Sequence, residues 1–203
     1  MEKFLTVCAA LILTAGMWSA EPETRKIALT FDDGPHPVYT EEMLKVLEQE
    51  QVPATFFLLG ENAEQYGEQV RMIAEQGHLI GNHTWRHVQV TSLPKEEAEE
   101  EILAVSSLVE ELTGNGTSYV RPPFGIWDQE LDMIPVLWTI DTLDWTTQNV
   151  DWIVEKTVQD AGESDIILMH DSYESTVQAA ERIIRRLKAE GFEFVTVDQV
   201  IMD

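Results

Sequence analysis

The feature that most constrains the fold of this chain is the alternation of short apolar runs with amphipathic helical segments. Residues 27–31 and 54–59 read as strands buried on both faces, because neither run alternates polar with apolar residues. Residues 78–82, 119–120, 136–140, 165–169 and 192–197 read as further strands. Between them, residues 40–50, 65–76, 94–113, 150–160 and 175–190 carry apolar side chains at helical spacing. Met43, Leu44 and Leu47 share one face of the first helix; Ile102, Val105, Leu108, Val109 and Leu112 form the stripe of the third. The Glu96-Glu97 and Glu99-Glu100-Glu101 runs of that third helix read as a solvated face. Strands separated by helices imply βαβ units and a parallel sheet. The count fits a closed or nearly closed α/β barrel, with a doubly wound open sheet as the alternative. No internal linker or repeat interrupts residues 25–203, so they read as one domain.

Polar clusters follow the strands. Asp32-Asp33-Gly34-Pro35 ends the first, and His83-Thr84-Trp85-Arg86-His87 follows the strand ending at Asn82. Arg121 to Gly125, Asp141 to Trp145, and His170-Asp171 follow three more. In α/β barrels the C-terminal strand ends form the active-site face. Adjacent acids on an extended chain point to opposite sides, so one can bind a ligand while the other does chemistry. His83 and His87, at i and i+4, share one face of a helical turn, and Asp33 adds a hard oxygen. Two imidazoles and one carboxylate leave positions open, the pattern of a catalytic metal site. Asp32 is then free to act as general base, with Arg121 holding it ionised. His170 suits a general acid, with Asp144 holding it charged. His36 and His78 lack such neighbours and read as structural.

Composition narrows the partners. The 203 residues carry 37 acidic and 13 basic side chains, a formal net charge of −24. Phosphate recognition needs Lys/Arg clusters, so nucleic acid is not an expected partner. Residues 1–20 read as an export signal or an uncleaved N-terminal anchor: Lys3 precedes an apolar stretch that is short for a membrane span. Cys8, the single cysteine, lies in that segment, which leaves the rest of the chain without disulfides. The expected location is outside the cytoplasm, secreted or held at the outer membrane face.

Taken together, TFDDGP (30–35), HTWRH (83–87), RPPFG (121–125), DTLDW (141–145) and LMH (168–170) resemble, in order, the five motifs of the polysaccharide deacetylases, the NodB-homology type of carbohydrate esterase family 4. The resemblance implies a distorted (β/α) barrel with an incomplete, seven-stranded set. It implies hydrolysis of acetyl groups on a glycan such as peptidoglycan or a chitin-like polymer, with acetylxylan esterase as the ester-cleaving alternative. It implies Asp32 as base, Asp33, His83 and His87 as ligands of a divalent ion, and His170 as acid, with Arg121 and Asp144 as partners. Zinc is the first expectation for the ion, with cobalt, manganese and nickel also accommodated. Pro123, Phe124, Trp145 and Leu168 would contact substrate, Phe124 through its backbone N–H. The family's third motif often carries Tyr where this chain has Phe124.

Overall fold

The computed structural model describes residues 25–128 and 133–202. The segment read as an export signal or anchor lies outside them. Among the described residues no helix is long and apolar enough to cross a membrane.

Strand β1 (Arg25–Asp32) is the spine. Its alternation serves two compartments. Ile27, Leu29 and Phe31 face an outer core shared with the surrounding helices, while Ala28 belongs to an inner cluster with Phe57, Val136, Ile166 and Val197. Both faces are apolar along most of the strand, which is why the run reads as continuous. Only the inner face turns polar, through Thr30 and then Asp32.

The remaining elements in chain order are α1 (Tyr39–Glu50), β2 (Thr55–Leu58), α2 (Gly60–Gln65), α3 (Gly67–Glu75), β3 (Leu79–Asn82), α4 (Lys95–Thr113) and β4 (Tyr119–Val120). Then follow β5 (Ile134–Pro135), β6 (Ile140–Asp141), α5 (Val150–Asp160), β7 (Asp165–His170), α6 (Glu174–Ala189), β8 (Phe192–Val195) and α7 (Val197–Ile201). Seven strands run in the order β5-β4-β3-β2-β1-β7-β6, and β8 pairs with the lower half of β1. Every pairing is parallel. The edge strands β5 and β6 do not pair, so the barrel is curled but open, the incomplete type expected. The doubly wound alternative fails because one curved sheet encloses the inner cluster.

Helix α6 shows why these helices form. Val177, Ala180, Ile184 and Leu187 are buried at helical spacing, and Arg186 and Lys188 sit in the last turn, where cations favour the helix dipole. Gly191 follows with φ 87°, a left-handed exit that glycine takes without a Cβ clash. Gly81 serves a different need: a Cβ there would lie 2.4 Å from the Phe57 ring, so β3 can approach β2 only without one.

Three local expectations change. The helix expected over 65–76 forms as α3, but a further short helix, α2, precedes it, so Gly60 opens a helix as well as ending a strand. The last strand stops at Val195, and Val197 begins a short helix whose first N–H donates to Thr55 Oγ1. The strand expected over 136–140 does not form. Its two ends instead lie beside β4 and β7, on opposite edges of the sheet, and the chain between them crosses the gap where the barrel fails to close. A segment spanning two edges cannot ladder with either along its length, so its carbonyls need other donors.

Candidate active site and metal centre

Arg121 supplies those donors. Its guanidinium is fully buried, with 0% exposure, and every nitrogen is used. Nε donates to the Val136 carbonyl at 3.2 Å, Nη2 to the Leu137 carbonyl at 3.4 Å, and Nη1 to Thr30 Oγ1 at 2.6 Å and Asp32 Oδ1 at 2.8 Å. The plane lies over the Phe57 ring, 4.2 Å from its centroid. The same residue's carbonyl accepts from His83 Nδ1 at 2.6 Å. That bond fixes the tautomer and leaves the His83 Nε2 lone pair facing the cleft. One residue therefore caps the carbonyls of the chain that crosses the open seam, holds Asp32 and aims His83.

Asp33 does not continue the strand. Its φ of 70° is left-handed, so the two carboxylates do not diverge as alternation implies; both line the same cleft. Asn62 Nδ2 holds the turn through the Asp33 carbonyl at 2.7 Å. His83 and His87 do converge, but not on a helical turn. Residues 83–87 are an irregular loop in which Thr84 has φ 67° and His87 φ 55°. Asp33, Thr84, His87, Phe124 and Leu143 all have positive φ and all sit in loops of this rim. Such conformations cost non-glycine residues of order 1–3 kcal/mol each and persist only where the surroundings over-determine them.

Asp33 Oδ1 lies 3.4 Å from His83 Nε2 and 3.5 Å from His87 Nε2. It is buried and makes no hydrogen bond within the protein. An orphaned carboxylate oxygen between two imidazole nitrogens fits a cation. A divalent ion about 2.1 Å from each of two tetrahedral ligands leaves them about 3.4 Å apart, the spacing seen. Among the described residues this is the group of His and acidic side chains whose ligand atoms lie within 4.8 Å of one another. Burial lowers the pKa of His87, which favours the neutral ligand form over the imidazolium. Burial opposes ionisation of Asp33, but the neighbouring imidazoles of His83, His87 and His170 hold its pKa below the ordinary value.

On the other side of the cleft, β1 and β7 pair so that Asp32 stands opposite His170. Register alone places these two side by side. His170 Nδ1 donates to Asp144 Oδ1 at 2.8 Å, and its backbone N–H donates to Asp144 Oδ2 at 2.8 Å. Thr176 Oγ1 donates to the same Oδ2 at 2.7 Å, so the buried Asp144 is fully engaged. Burial by itself would lower the His170 pKa. The Asp144 bond and charge, with Asp32 and Asp33 behind them, raise it to about 9.

The cleft between these groups holds about 380 Å³. Asp32, Asp33, His83, His87 and His170 line it, with Leu168 buried at its wall and Phe124 and Trp145 exposed at its mouth. The Phe124 ring meets His87 edge-on at 5.1 Å. Pro123 is buried and does not line the cleft; Pro122 does, because the short 3₁₀ turn over Pro123–Gly125 tucks the second proline under the rim. Trp138, Asp141 and Tyr173 also line the cleft and were not legible as site residues. Asp141 opens the DTLDW motif, whereas Trp138 reads as core until the seam crossing is seen. His36 and His78 are structural, as expected. His36 Nδ1 accepts the N–H groups of Val38 and Tyr39 at the start of α1. His78 Nδ1 accepts from the Ala54 N–H, and burial pulls its pKa down to about 4.

A family model described as "Polysaccharide deacetylase" matches residues 19–135. The peptidoglycan-N-acetylmuramic acid deacetylase PdaC of Bacillus subtilis is 37% identical over 186 residues, which are 90% of this chain and 40% of that protein. A peptidoglycan-N-acetylglucosamine deacetylase of Bacillus cereus is 36% identical over 183 residues, 85% of this chain and 66% of that protein. The chain thus spans only part of the length of these curated relatives. The solved structure of the B. subtilis peptidoglycan deacetylase PdaC superposes with a TM-score of 0.86 at 35% identity, covering 90% of this chain and 92% of that one.

Proposed function

We propose that this chain, which belongs to the polysaccharide deacetylase family, is a metal-dependent hydrolase that removes acetyl groups from N-acetylated sugars of peptidoglycan. The observation that carries the reading is the orphaned Asp33 oxygen between two aimed imidazoles, with a separate acid and base across the same cleft. Asp33, His83 and His87 are assigned to the ion, zinc first, with cobalt, manganese or nickel able to replace it. When bound, the ion supplies Lewis acidity, polarising the acetyl carbonyl and acidifying water.

The chain's own groups do the rest. Arg121 occupies Asp32 Oδ1, so Oδ2, 3.8 Å from His83 Nε2, is the oxygen left to take the proton of the attacking water. The Phe124 backbone N–H is assigned to the carbonyl oxygen as negative charge develops there. His170, fixed through Nδ1, presents Nε2–H to the cleft and protonates the departing amine. Leu168 and Trp145 shelter the methyl group. A hydroxyl at position 124 is not needed for a backbone donor. Relatives named for N-acetylated wall sugars support the amide reading over acetylxylan esterase. A non-catalytic glycan-binding module would have no use for base, acid and ligand set together. Residues 1–20 suit export, which places residues 25–203 where peptidoglycan is.

The test is acetate release from purified peptidoglycan, with product masses identifying the sugar. Chelation is expected to cut the rate at least about 100-fold, since a Lewis acid is worth several kcal/mol and each 1.4 kcal/mol is tenfold. Added zinc or cobalt should restore it. Release unaffected by chelator would remove the metal from the mechanism.

The pH profile follows from His170. Its imidazolium is the active form, so kcat should hold through neutral pH and fall as pH rises toward about 9. A bound cation opposes the part owed to Asp33 and moves the limb downward. The folded pKa lies above the ordinary value, so the stability it brings is complete below about 6.5 and disappears as pH rises through about 9. Asp144→Asn should pull the alkaline limb toward 6.5. A limb that stays put in that variant belongs to another group.

A further inference from the structure

The loop that carries both imidazoles is clamped from two sides, and the clamp includes a residue the five motifs do not contain. The loop's carbonyls are held by α2: the Gly60 N–H donates to the Thr84 carbonyl at 3.0 Å, and the Glu61 N–H to the Trp85 carbonyl at 3.1 Å. These are N–H groups at the open end of a helix, which have no partner within it. The approach is close enough that a Cβ on Gly60 would lie 2.2 Å from the Trp85 ring.

The loop's N–H groups are held by α4. Glu101 Oε2 accepts from the Trp85 N–H and from the Arg86 N–H, both at 3.0 Å. Its Oε1 accepts from Arg86 Nε at 2.6 Å and Nη2 at 2.5 Å. Glu101 is not on a solvated face. Its exposure is 4%, because it falls on the buried line Ala98, Glu101, Ile102, Val105, Val109. An ionised carboxylate is buried only where hydrogen bonds compensate it, and all of these come from the two residues midway between His83 and His87. One residue further along α4, the Ile102 carbonyl accepts from Asn82 Nδ2, and Asn82 Oδ1 accepts the Thr84 N–H.

We infer that Glu101 is a positioning residue for the metal centre: its carboxylate holds the Trp85–Arg86 peptides so that the left-handed residues on either side aim both imidazoles at Asp33. The inference rests on the reading that Asp33, His83 and His87 hold the ion, and it adds a residue that touches neither ion nor substrate. Groups behind metal ligands typically change metal affinity by about 10–100-fold when removed. The backbone bonds matter more here than the exposed Arg86 guanidinium, which is screened by water.

The experiment measures zinc and cobalt affinity by competition with a chromophoric chelator, with thermal melting of the metal-free proteins alongside. Glu101→Ala should weaken metal binding by about 10–100-fold and shift the visible spectrum of the cobalt form. Glu101→Gln, which keeps an acceptor for the backbone N–H groups, should fall between Ala and wild type. Arg86→Gln should stay within about twofold of wild type, in line with the small worth of exposed pairs. Val105→Ala, a core truncation on the same helix, should lower the melting temperature and leave metal affinity alone. If Glu101→Ala does not fold, the Gln variant carries the test. Wild-type affinity in a folded Glu101 variant overturns the inference, as does an equal loss in Val105→Ala. Failure of the wild-type protein to bind metal would instead overturn the metal assignment itself.

Discussion

Asp32→Asn is expected to lower acetate release by about 10²–10⁴-fold, the usual contribution of a positioned general base. The substitution is nearly isosteric and removes the negative charge and with it the ability to take a proton. Asp32 is not one of the three grouped ligands, so metal affinity should change little. That split separates base from ligand: His83→Ala or Asp33→Ala should lose metal and activity together, whereas Asp32→Asn should lose activity with the ion retained. Some stability should also go, because Arg121 then lacks its anionic partner while remaining buried. Equal release from the variant and the wild type would sink the assignment of Asp32. Loss of metal in Asp32→Asn would move it into the ligand set.

Arg121→Leu is expected to be the most damaging single change to stability. The guanidinium has no exposure, and Asp32 beside it is nearly buried. Breaking such a pair by removing one partner typically costs about 3–5 kcal/mol, because the remaining charge is left uncompensated. Two further acceptors go unpaired, the carbonyls of Val136 and Leu137 where the chain crosses the seam. At about 2–4 °C per kcal/mol for a domain of this size, the melting temperature should drop by roughly 10 °C or more. Arg121→Lys should recover little, since an ammonium cannot reach acceptors spread around a planar fork. Adding Asp32→Asn to Arg121→Leu should cost less than the sum of the two, because the residual charge is gone. Additive losses would mean that the two side chains do not act as a pair.

The sequence was most legible where chemistry and spacing agreed. Asp33, His83 and His87 were grouped from residue type, and they meet. Asp32 with Arg121, and His170 with Asp144, were paired from complementary charge, and both pairs are bonded. Even so, the side chains come together through a local geometry different from the one the spacing suggests. The i, i+4 spacing of the histidines suggested a helical turn, but the loop between them is irregular, and its shape comes from hydrogen bonds to α2 and α4. Adjacent acids suggested opposite directions, but Asp33 leaves the strand in a left-handed turn. Local pattern does not report positive φ in non-glycine residues, because tertiary bonds alone make such conformations persist.

Glu101 and the 136–140 segment show the limit from the other side. Glu101 sits among acids on a helix and reads as solvated, although its spacing from Ala98, Ile102 and Val105 places it on the buried stripe. Its acidic neighbours point to solvent, but the helical spacing decides, and it buries Glu101. Residues 136–140 satisfy every rule for a buried strand, yet they span a gap between two sheet edges. Nothing in an apolar run says whether a neighbouring strand is available to pair with it.

By itself, then, the sequence determined the alternation of strands and helices, the parallel sheet, the polar groups at the strand ends and which of them have complementary chemistry. These follow from side-chain period and residue type, which are local properties. Tertiary structure alone decided where the barrel stays open, that Arg121 spans that seam, and that β1 and β7 stand in the register that sets Asp32 opposite His170. It also decided that Glu101 reaches across to hold the histidine loop. Each of these depends on contacts between segments distant in the chain, whose partners are fixed only when the sheet curls and the helices pack against it.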